Sequence, residues 1–75
     1  MEARIIRDEP FPALPGAEPS RSVSIEIRSK GWSAVETFVV TGTDPEEAQA
    51  QMDAAVRAML RKAGKAEKFE WVRSP

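Results

Sequence analysis

A chain of 75 residues with 11 basic and 12 acidic side chains, no cysteine and no histidine leaves room for one small domain and narrows its chemistry. Disulfides, cysteine-ligated zinc and iron–sulfur clusters are excluded, and any mechanism needing an imidazole base goes with them. A net charge of −1 makes no global case for nucleic acid or an anionic membrane, and no apolar run approaches the ~20 residues of a membrane span.

A domain this short buries only about 60% of its unfolded surface. With disulfides gone, a docked tail or a second subunit is the remaining way to bury more. The first residues show no basic-then-apolar signal pattern, and the chain without cysteine fits a reducing compartment; the expected location is cytoplasmic.

Residues 1–22 hold four of the six prolines and read as a proline-rich N-terminal arm. Within it, "ARIIR" suggests one short edge strand. Two readings stay open, a solvated leader and an arm that docks. Ile5, Ile6, Phe11 and Leu14 favour docking, because a solvated linker has no use for large apolar groups.

"SVSIEIRS" alternates, with Val23, Ile25 and Ile27 on one face and Ser24, Glu26 and Arg28 on the other, as a half-buried strand does. Gly31 supplies a turn, and "SAVETFVVT" pairs back as the second arm of a hairpin. One of its faces is Ala34, Glu36, Phe38 and Val40; the other is Val35, Thr37, Val39 and Thr41. Both carry apolar groups, so both call for cover. A helix accounts for one face, and the arm or a second subunit for the other.

That helix begins at Asp44, an N-cap followed by Pro45 at the first helical position and Glu47 placed to close a capping box. Its core stripe is Ala48, Met52, Ala55, Val56, Met59, Leu60 and Ala63, and Gly64 stops it. Asp53 and Arg57 are spaced for an i,i+4 ion pair. After the glycine, "KFEWVRS" alternates again and predicts a third strand. The expected fold class is α+β, β-β-α-β, with one long helix packed on a three- to four-stranded, mostly antiparallel sheet. Its divisions are the arm at 1–22, a single domain at 23–72 and a tail at 73–75.

The residue types argue against an enzyme. Serines without histidine lack the usual activating base, and the four glycines form no phosphate loop. Capping explains Asp44, Glu46 and Glu47 without a metal, and no cofactor is expected. Ala50, Ala54 and Ala58 recur on the helix face away from the core. They satisfy helix propensity, and they would also let another helix approach closely. With Ile5, Ile6, Phe11, Leu14 and the turn-side Trp32, they are the candidate protein-binding residues. The alternative reading is nucleic-acid binding. Residues 57–75 carry a net +4, and Arg57, Arg61, Lys65 and Lys68 form a basic stripe if the helix runs that far, followed by Arg73.

"VTGTDPEEAQAQMDAAVRAM" resembles the segment that enters the helix of HicB-like antitoxin domains, through Gly42, Asp44, Glu46, Glu47, Ala48 and Ala55. The resemblance covers roughly residues 23–72. These 75 residues hold no counterpart of that family's DNA-binding domain or of its proline-rich loop after the early strands. What the resemblance implies is a small module that oligomerises and neutralises a toxin by protein contact. The expectation is therefore a non-enzymatic protein-interaction, inhibitory or regulatory module, the expected partners being another protein and a second copy in a homodimer, with no membrane.

Overall fold

Residues 1–12 and 14–72 are described in the computed structural model; the expected tail at 73–75, with Arg73, lies outside them. The elements run β1 (Glu2–Pro10), β2 (Ser20–Ser29), β3 (Trp32–Thr41), α1 (Pro45–Lys62) and β4 (Glu70–Trp71). They form one four-stranded sheet in the order β3-β2-β1-β4 with the helix on one side, an α+β fold as expected.

The alternation in β2 sets the two sides. Val23, Ile25 and Ile27 are fully buried under α1, and antiparallel pairing fixes which β3 residues join them. Val23 stands opposite Phe38, Ile25 opposite Glu36 and Ile27 opposite Ala34. Paired residues share a face, so the face with Phe38 and Val40 goes under the helix, and Val35 and Val39 are left outside. A two-residue turn, Lys30 and Gly31, joins the strands, with Gly31 at a φ of 77° that favours glycine.

The helix seats Ala48, Met52, Val56, Met59 and Leu60 on this face, five of the seven expected stripe residues. Ala55 is half-buried, and Ala63 is exposed because it is the C-cap, where the chain leaves the sheet. Asp44 caps the start, its carboxylate accepting from the Glu46 N–H at 3.1 Å. The expected reciprocal bond from Glu47 is absent among the described residues; a single cap holds this end. At the other end the Lys65 N–H donates to the Leu60 carbonyl and the Gly64 N–H to the Arg61 carbonyl, a Schellman stop with Gly64 at φ 71°.

The N-terminal segment departs most from expectation. In place of a short edge strand, β1 is nine residues long, pairs along β2 and is flanked on its other side by β4 at Glu2 and Ala3. The boundary at 22 dissolves accordingly, since β1 and β2 pair as one hairpin that runs across it. Proline interrupts pairing only from Pro10 onward, and before it Ala3 sits opposite Ile27, fully buried in the core. The ladder shifts register between Ile5 and Arg7, leaving Ile6 without a cross-strand partner. β4, expected to be a full strand, keeps two residues. It pairs parallel with β1 at Glu2 and Ala3, and its ladder starts where β1 itself starts.

A buried Ala3 gives a direct check on the interior placement of β1. Ala3→Glu would put an unpaired carboxylate beneath the helix and cost more than about 3 kcal/mol in urea unfolding. A solvated arm would tolerate the change with no shift of midpoint.

Candidate protein-binding site

In an antiparallel pair, alternate residues turn both backbone groups toward the partner or away from it. Gly42 donates to the Pro19 carbonyl at 2.8 Å, continuing the β2 side. The odd-numbered residues of β3 therefore point outward, along the open edge of the sheet. Thr41 bears this out, because the Gln51 amide takes its backbone from outside: Thr41 N–H to Oε1 at 3.0 Å, and Nε2 to the Thr41 carbonyl at 2.8 Å. Gln51 thus closes the last rung. Ser33, Val35, Thr37 and Val39 turn their N–H and C=O groups to the edge with no strand beyond them.

Edges of this length are normally blunted by proline, lysine or a bulge. β3 has no proline or lysine, and its register with β2 is unbroken over ten residues. Its one charged side chain, Glu36, is engaged by Lys62 at 3.5 Å. On the open face, Val35 and Val39 are 51% and 58% exposed, flanking Thr37, whose hydroxyl is 2.9 Å from that of Ser24. On the helix side a shallow groove of about 350 Å³ runs beside the same strand, lined in part by Trp32, Ala34, Met59 and Lys62. The Lys65 ammonium lies 4.6 Å from the Trp32 ring centroid and covers part of that ring.

The other protein-binding candidates lie elsewhere. Ile5 and Ile6 are exposed on β1 at the bulge. Phe11 closes the β1–β2 loop through its N–H to the Ser20 carbonyl and, with Pro10, Pro19 and Pro45, lines a second cleft of about 440 Å³. Leu14, at the loop tip, is 75% exposed. Ala50, Ala54 and Ala58 are exposed on α1. They do not form one patch with the arm residues. The face of Val35, Thr37 and Val39 is the one the sequence marked as needing cover; the open backbone beside it and the part of Gln51 were missed, because nothing in the sequence ranks β3 as the outermost strand.

The basic residues of the alternative reading are dispersed. Because α1 ends at Lys62, Lys65 and Lys68 leave the helical stripe. Arg57 lies over the Phe69 ring at 5.9 Å and makes no ion pair with Asp53. Asp53 instead accepts from Trp71 Nε1 at 2.7 Å and from Gln49 at 3.0 Å, fastening β4 to the helix. Phe69 and Trp71 meet edge to face, 5.7 Å between centroids. Arg61 forks onto Glu67 at 2.9 and 3.4 Å. That hydrogen-bonded guanidinium holds the Glu67 carboxyl below its ordinary range, and the carboxylate raises Arg61.

Among the described residues no three acidic groups converge as a cation site, and no helix is long and apolar enough to cross a membrane. No family model, curated protein or solved structure matches the chain.

Two measurements check this geometry. Asp53→Ala should cost about 2 kcal/mol in urea unfolding and red-shift the tryptophan emission, because the buried end of Trp71 loses its acceptor. In a carboxyl NMR titration, Glu67 should protonate below the ordinary glutamate range, and Arg61→Ala should return it upward. A depressed folded-state value means that the pair's contribution is present above the ordinary glutamate range and lost as pH falls through the folded value.

Proposed function

We propose that the chain is a non-enzymatic, cytoplasmic protein-binding module of inhibitory or regulatory type, and that it works by accepting an extended segment along β3. The observation that carries this reading is the β3 edge left open from Ser33 to Val39, with Val35 and Val39 exposed beside it. Strand addition draws affinity from backbone hydrogen bonds and specificity from alternate side chains. β3 offers both: outward backbone groups at Val35, Thr37 and Val39, and a groove beside Trp32 and Met59 for side chains on the helix side. The residues of the HicB-like resemblance agree with a protein-contact role, though locally Asp44, Glu46 and Ala48 start and seat the helix.

Val35→Pro is the discriminating variant. Its N–H faces outward, so proline removes an edge donor and spares the ladder with β2. Captured from the native host on immobilised chain, a partner bound at β3 should fall by roughly tenfold or more with Val35→Pro. Equal retention on a folded variant overturns the assignment.

A further inference from the structure

We propose that the segment β3 accepts is β3 of a second copy, paired antiparallel about a two-fold axis through Thr37. This rests on the reading of the β3 edge as a binding surface and names its partner. The two-fold of an antiparallel strand pair stands perpendicular to the sheet, so each residue meets one on its own face, and both helices lie on the same side of a continuous eight-stranded sheet.

Few registers then remain, and the side chains choose between them. With Thr37 on the axis, Val35 stands opposite Val39 of the second copy and the reverse, so the four most exposed valine side chains of the two edges close into one cross-strand cluster. Glu36 falls opposite Phe38, and Trp32 opposite Gly42, which has no side chain to obstruct it. Centring the pair on Glu36 would set two carboxylates face to face. Centring it on Val35 would align that valine with itself and leave each Val39 opposite a turn glycine, Gly31.

The backbone accommodates this register. Once Gln51 has closed Thr41, the open outward residues are Ser33, Val35, Thr37 and Val39; Ser33 falls opposite the closed Thr41 of the second copy, and the other three pair among themselves about Thr37. Three such rungs exchange roughly six hydrogen bonds. The helix flank beside this edge is small in its middle: between Gln51 and Lys62, which reach Thr41 and Glu36, it carries Ala55 and Ala58. The edge strand is self-complementary in hydrogen bonding and in apolar surface, and its one carboxylate, Glu36, stays engaged by Lys62 of its own chain and stands opposite Phe38, not opposite its own copy.

Cysteine placement reads the register directly, because the chain has none of its own. In the proposed pair the two Thr37 Cα atoms lie about 5.5 Å apart, within disulfide reach. Mild oxidation of Thr37→Cys should give a covalent dimer. Val35→Cys and Val39→Cys should each resist alone and cross-link when mixed. Unmodified chain should sediment at twice 8.3 kDa, and Val35→Pro should raise the dimer dissociation constant roughly tenfold or more. If Val35→Pro loses its circular dichroism, the cysteine series carries the test alone. Cross-linking by Val35→Cys alone, or a folded Val35→Pro as dimeric as the parent, overturns the proposal. So does a parent that stays monomeric up to about millimolar concentration; in that case loss of a captured host protein on Val35→Pro still upholds the edge as a binding surface, and unchanged capture removes that reading as well.

Discussion

The arrangement depends on the N-terminal strand's filling the space between β2 and β4. Without β1, the β2–β3 hairpin would carry the helix alone, and β4 would have no neighbour, since it pairs only with β1 at Glu2 and Ala3. A lone hairpin is marginal in water and gains stability from further strands or a packed helix; β1 adds the third strand to what the helix supplies. Ala3 shows how the strand is fitted. Its small side chain lies in the core beside Ile27, where the helix and the aromatic pair of Phe69 and Trp71 come together. The last link is a single carboxylate, Asp53, which ties Trp71 to the helix.

Insertion of β1 has a consequence for the opposite side of the sheet. With β1 and β4 on one flank, β2 becomes interior and β3 becomes the edge. The face of "TFVV" that the helix leaves uncovered is not covered by the N-terminal segment either, because that segment lies two strands away. Surface that the small core does not hide is concentrated on β3, beside backbone groups that have no strand to meet. Gln51 treats the end of that edge as a local strand would and leaves the middle open. The proposed binding role rests on this distribution more than on any reactive side chain.

Much of the helix and of the β2–β3 hairpin was legible because both rest on local signals. The alternation at Val23, Ile25 and Ile27, the stripe from Ala48 to Leu60, Asp44 at the cap and Gly64 at the stop act within a few residues of one another. The reading of 1–22 as an arm failed in part because prolines crowd its second half, and they obscured a pairing that ends at Pro10. Strand order was the other missing quantity. It is set by which strands meet at long range, and "ARIIR" carries no mark of being interior. The candidate site inherits that gap in part: the face of Val35, Thr37 and Val39 was legible as apolar and in need of cover, whereas the open backbone beside it follows only from β3 being outermost. The basic stripe assumed a helix running on to Lys68, and the Schellman stop at Gly64 ends it sooner.

Native-state hydrogen exchange of the unmodified chain tests the placement of β1 most directly. The β1 amides that face β2, Arg4 among them, should exchange as slowly as those in the middle of β2, at a rate set by global unfolding. Exchange there as fast as in the loop at residues 14–17, with β2 still protected, would contradict the account.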